Sequence, residues 1–115
     1  MLVGVRAGEN STSSHNSFFG YRSGGLTTAG GENTFAGYLS GLGNTSGNQN
    51  TYLGAYTGNS FTSGDGNTFI GTGAGGVSGN DNTALGRNAG LSNPSLNFAT
   101  AIGAGAQVGT SNTIV

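Results

Sequence analysis

Few side chains in these 115 residues could carry acid–base or covalent chemistry, and they do not converge in the sequence. His15 is the single histidine, set in a polar stretch between Asn10 and Asn16 with Ser11 to Ser14 before it, the setting of a solvated loop. General acid–base work needs titratable groups within hydrogen-bond reach of one another. The four carboxylates, Glu9, Glu32, Asp65 and Asp81, fall in separate stretches with no pair at a suggestive spacing. No Gly-x-Ser-x-Gly elbow activates a serine. Gly71-Thr72-Gly73-Ala74-Gly75 has the glycine of a phosphate loop but lacks the lysine and the following helix that such a loop needs. Asp65 and Asp81, with Glu32 and Gln49 in the matching places, do not repeat as the carboxylate ladder of a calcium-binding solenoid. The residues predict no enzyme, no catalytic or metal site and no cofactor.

Recognition is the chemistry that remains. Tyr21, Arg22, Tyr38, Tyr56 and Arg87 all stand just after a recurring glycine, and exposed Tyr and Arg are the usual contact formers on binding surfaces. They are the candidate contacts to a surface glycan or protein receptor. A net charge of −1 and three scattered arginines make no patch for nucleic-acid phosphates. No apolar run approaches the roughly 20 residues of a membrane span, so this segment is not expected to insert into a bilayer.

What must position these residues is an array. Asn-Thr-aromatic-aliphatic-Gly recurs as Asn33-Thr34-Phe35-Ala36-Gly37, Asn50-Thr51-Tyr52-Leu53-Gly54 and Asn67-Thr68-Phe69-Ile70-Gly71. The closing glycines stand at positions 4, 20, 37, 54, 71, 86 and 103, so the repeat is 15–17 residues long. Glycine supplies 25 residues and charged residues only 6%. That composition without a period would mean disorder, but here the apolar residues keep fixed places. The economical fold is all-β: a parallel β-solenoid with one repeat per coil, about seven coils and two short strands per coil, making residues 1–115 a single repeat domain. The column Asn16, Asn33, Asn50, Asn67, Asn82 and Asn112 is expected to stack as an amide ladder.

Strand side chains alternate, so the columns two apart share a face. Ser17, Thr34, Thr51, Thr68, Thr83, Thr100 and Thr113 go with Val3, Phe19, Ala36, Leu53, Ile70, Leu85, Ile102 and Val115. The small residues after the glycine (Ala7, Ser23, Ser40, Thr57, Ala74, Ala89) suggest a narrow interior. On that reasoning Val3, Phe19, Leu53, Ile70, Leu85 and Ile102 form the coil core. The alternate column, led by Phe18, Phe35, Tyr52 and Phe69, then faces outward. Such a stripe is too large an apolar patch to leave in water, so it is expected at the interface of a homo-oligomer. A further apolar column follows at Leu26, Leu42, Phe61, Val77, Leu91 and Val108.

These units, above all Ala99-Thr100-Ala101-Ile102-Gly103-Ala104-Gly105-Ala106, resemble the head repeats of trimeric autotransporter adhesins. The run from Asn97 to Ser111-Asn112-Thr113-Ile114-Val115 is similar to phage and bacterial surface-fibre repeats that precede an endosialidase-type intramolecular chaperone. The resemblance implies a left-handed β-roll, a homotrimer, and an extracellular place on a bacterial surface or phage tail fibre. The chain would be a piece of a longer fibre protein that attaches to a host receptor or serves as a rigid segment. With no lysine, the chain cannot hold the Ser/Lys pair of the self-cleaving chaperone itself. An ice-binding β-solenoid is the alternative, because a regular Thr column on a flat face is what such proteins use. The aliphatic neighbours of that column argue that it lies inside.

Overall fold

The structure, a computed structural model, describes residues 1–60, 63–76, 78–93 and 95–115. Phe61 and Val77 of the last apolar column lie outside the described residues. The chain winds into an all-β parallel solenoid of about six turns, with no helix among the described residues. The strands are β1 (Leu2–Val3), β2 (Ser17–Phe19), β3 (Thr34–Ala36), β4 (Thr51–Leu53), β5 (Thr68–Ile70), β6 (Thr83–Leu85), β7 (Gly90–Leu91), β8 (Thr100–Ile102) and β9 (Gln107–Val108). All but β7 and β9 stack in chain order as one seven-stranded parallel sheet. Its register is that of the repeats: Phe18 opposite Phe35, Phe35 opposite Tyr52, Tyr52 opposite Phe69.

Buried asparagine sets the phase of every coil. Asn33, Asn50 and Asn82 are fully buried, and the amides stitch the coils together. Each side-chain oxygen accepts the backbone N–H of the next coil, from Asn33 to Asn16, Asn50 to Asn33, Asn67 to Asn50 and Asn82 to Asn67, at 2.9–3.0 Å. Each Nδ2 donates to a loop carbonyl, as Asn33 does to Gly47 and Asn50 to Gly64 at 2.8 Å. A buried amide with all these partners is stabilising, whereas one without them would cost more than it gains. The ladder stands as expected for Asn16 to Asn82 but not for Asn112. There the final loop is shorter: Thr100 bridges Ile114, and Asn112 falls one place before the ladder.

With asparagine pointing in, alternation sends the next residue out and the one after it in. This reverses the faces expected from the sequence. Phe18 and Phe35 are 0% exposed, and Tyr52 and Phe69 are 4% and 3% exposed, so the aromatic column is the coil core and not a subunit interface. The rings stack from coil to coil, with centroids 5.0, 4.7 and 4.9 Å apart and planes within 10°. The expected core column is instead the outer face: Val3 is 51%, Leu53 36%, Ile70 40% and Ile102 56% exposed, with Phe19 and Leu85 half-buried.

Glycine explains why rings fit inside so thin a coil. A Cβ at Gly41 would lie 2.3 Å from the Phe35 ring, and one at Gly58 2.6 Å from the Tyr52 ring. The missing side chain is the space that the ring occupies. The small column is buried beside it, with Ser23 Oγ donating to the Phe35 carbonyl and Ser40 Oγ to that of Tyr52, both at 3.0 Å. The closing glycines are required for a different reason: Gly37 has φ +141°, and a Cβ there would stand 2.4 Å from the Gly54 carbonyl oxygen.

A second strand per coil appears only late, as the β7–β9 pair. In earlier coils the matching stretch is turn, with left-handed glycines at Gly24, Gly41 and Gly58. Where the aromatic column changes to Ala84 and Ala101, the opposite wall straightens, and Leu91 and Val108 fill the vacated volume.

Candidate functional site

Three surfaces meet along one side of the rod. The first is the outer face of the seven-stranded sheet, a column of half-buried Ser17, Thr34, Thr51, Thr68, Thr83 and Thr100 beside the exposed aliphatic column. It carries no charge. Its members stay in water because the side chains on the other face of the same three-residue strands already fill the coil. The face is also uneven, since Phe19 pairs directly with Ala36, and Ala36 with Leu53.

The second surface is the corner just after the strand. Here the chain turns through the closing glycine and then through a left-handed residue: Arg6, Arg22, Leu39, Tyr56 or Asn88, with φ of 51–59°. The turn brings the candidate contact residues Tyr21, Tyr38 and Tyr56 into one exposed row. Tyr21 and Tyr38 stack at 5.5 Å, and Tyr38 meets Tyr56 edge-on at 5.3 Å. Arg22 lies at the near end, joined with Arg6 to Glu9 at 3.2 and 3.5 Å. Such pairs at the surface contribute little to stability. Arg87 stands exposed at the far end of the same corner, three coils beyond Tyr38 in the stack. Along the rod, Tyr21 and Tyr38 cover each other's faces with planes 13° apart, while Tyr38 and Tyr56 are nearly perpendicular at 74°.

The third surface is the corner just before the strand. His15, Glu32, Gln49, Gly66, Asp81 and Phe98 form a second left-handed column, with φ of 55–69°. An outer ladder supports it. The N–H of Gly31 donates to Asn48 Oδ1, that of Asn48 to Asp65 Oδ1, that of Asp65 to Asn80 Oδ1 and that of Asn80 to Asn97 Oδ1, at 2.7–2.9 Å. Here the later coil caps the earlier one, opposite in sense to the buried ladder. Between these columns lies a shallow polar depression lined by Ser14, His15, Glu32, Asn48, Gln49 and Asp65. Gln49 donates to Glu32 across it at 3.0 Å.

Among the described residues, no group of three or more His, Cys, Asp or Glu side chains is placed to hold a metal. His15 shares its corner with Glu32 and Asp65, but Glu9 sits across the sheet beside the arginines. The buried Tyr52 hydroxyl has its pKa pushed well above the usual phenol value by desolvation, which the hydrogen bond with Asn67 opposes. It faces the coil interior and serves packing. The sequence reading found the tyrosine and arginine corner but missed the Thr–aliphatic face as an outer surface. The signal that fixes it is the asparagine before each strand, whose burial sets the parity. No family model, curated protein or solved structure matches the chain.

Proposed function

We propose that this chain is a non-enzymatic fibre segment that works as a trimer of parallel solenoids, built to hold or present an attachment surface. The observation that carries the reading is the uncharged outer face of the seven-stranded sheet, where Val3, Leu53, Ile70 and Ile102 are each more than a third exposed. An exposed aliphatic column beside an uncharged Ser/Thr column supports the reading of this face as an association surface. Its unevenness also favours a protein partner, since Phe19 beside Ala36 makes a knob next to a hole. The Cα extents of 35 × 22 × 17 Å give the rod long flanks on the order of the 800 Å² that a stable contact covers on each partner. The left-handed roll, the number three and the extracellular setting on a bacterial or phage fibre rest on the resemblance of the repeats. A surface glycan or protein receptor is the class of target such a fibre would meet.

The test separates folding from assembly. Ile70→Asp places a charge on the outer face without touching the ring stack. The expected result is a chain with unchanged circular dichroism that sediments as a monomer, while the wild type sediments as an oligomer. An Ile70→Asp protein that assembles like wild type would remove this face from the interface.

One observation favours a second reading, ice binding. The Thr column lies outside, in a regular parallel ladder, contrary to the interior place expected of it. The irregular aliphatic column beside it opposes a flat lattice match. Thermal hysteresis in wild type decides between the two, and no hysteresis there removes the ice-binding reading.

A further inference from the structure

The charges of this chain are sorted to the two corners that border the outer face. All three arginines, Arg6, Arg22 and Arg87, stand on the corner after the strands, where only Glu9 accompanies them. Glu32, Asp65 and Asp81 stand on the corner before the strands. Among the described residues, none of these three carboxylates and not Arg87 forms an ion pair within the chain. Shape follows the same division. The arginine corner carries the projecting Tyr21–Tyr38–Tyr56 row, and the carboxylate corner carries the depression lined by His15, Glu32, Gln49 and Asp65.

The levels along the rod also match. Glu32 leads into β3, and Tyr38 follows the same strand. Asp81 leads into β6, and Arg87 follows that one. A ridge and a depression therefore lie at the same heights on opposite borders of one sheet.

We infer that the tyrosine–arginine corner of one copy seats in the carboxylate-lined depression of the next, in register, with the rods parallel around a common axis. The inference rests on the assembly reading above and adds to it which corners of neighbouring copies meet, and in what register. Rotating a copy about the rod axis brings its carboxylate corner against a neighbour's arginine corner. Turning it end over end, face to face about β4, brings carboxylate corner against carboxylate corner, with the Glu32 level opposite that of Asp65, and arginine corner against arginine corner, with the Arg22 level opposite that of Arg87. Like charges set opposite one another cost free energy and disfavour the second arrangement. Glu32 of one copy then lies beside Tyr38 of the next, with Arg22 one coil away, and Asp81 lies beside Arg87. The tyrosine row becomes a contact between copies of this chain rather than a receptor surface.

The chain has no cysteine, which makes disulfide trapping direct. Glu32→Cys/Tyr38→Cys puts thiols on opposite borders of β3. With a whole extended strand between them, the two Cα atoms exceed the roughly 7 Å that a disulfide tolerates, so any link must join two chains. His15→Cys/Asp81→Cys is the antiparallel counterpart, because β2 and β6 are equidistant from the central β4 on the same corner. Both variants are first weighed under reducing conditions and then oxidised and run on a denaturing gel. The expected result is that the 32/38 variant converts to a covalent closed trimer with loss of the monomer band, while the 15/81 variant stays monomeric on the gel. Links in 15/81, or none in a 32/38 protein that is oligomeric when reduced, overturn this pairing of corners and leave only association through the outer face standing. A wild-type chain that is monomeric overturns both.

Discussion

At the residue scale, one column decides the meaning of all the others. Buried Asn16 to Asn82 turn the following Ser or Thr outward and the residue after it (Phe18, Phe35, Tyr52, Phe69 or Ala84) inward, and no hydropathy pattern alone could have said so. Residues on both strand faces are apolar, as with Phe69 and Ile70, which leaves parity ambiguous in the sequence. Tyr52 offers a direct check of the inward assignment. Its pKa is raised in the folded state, chiefly by burial, so the folded protein holds the phenol proton more tightly than the unfolded chain does. The stability tied to that proton is fully present below the unfolded value of about 10 and is lost as pH climbs beyond it toward the folded value. Tyr52→Phe should therefore lessen the fall in stability above about pH 10, measured by urea denaturation at pH 8 and at pH 10.5. An unchanged alkaline limb would mean that Tyr52 reaches solvent.

The coil is the element, and its thinness rests on glycine. The repeat length, the parallel stacking and the amide ladder were legible in the sequence because each follows from spacing. The content of the interior was not, because small residues were taken to imply a small core. In the structure they imply the reverse: Gly24, Gly41, Gly58 and Gly75 leave room for Phe18, Phe35, Tyr52 and Phe69. The second strand was expected in every coil, but among the described residues it forms only as the late β7–β9 pair, preceded by a single bridge from Gly75 to Gly90 opposite the Phe69 ring. Gly41→Ala tests this packing. A left-handed backbone and a Cβ driven into the Phe35 ring should together cost about 2–4 kcal/mol, read from chemical denaturation. Gly105→Ala, a left-handed site (φ +71°) where an added Cβ meets nothing within 4 Å, should cost only about 1–2 kcal/mol. Equal losses at the two sites would show that the glycines serve the backbone alone.

The whole molecule is a rod whose stacked rings lie inside the coil. The ring stack that looked like an interface is therefore sealed within the chain, and the Thr–aliphatic face, bordered by the exposed tyrosine row, is the surface on which the proposed assembly rests. The corners bordering that face, one bearing Arg22, Arg87 and the tyrosine row and the other Glu32, Asp65 and Asp81, were visible in the sequence only as scattered charges. The turns at the closing glycine and at the left-handed residue before each asparagine gather them. Stacked coils give stiffness along the rod, and further copies over the open face would give it resistance to fraying and shear. The measurement that bears most directly on this account is the absolute mass of the wild-type chain, by light scattering on a sizing column over a hundredfold range of concentration. A closed trimer gives a mass of about three chains that does not change on dilution. A well-folded monomer at every concentration would contradict it and leave the outer face as a surface for something other than this chain.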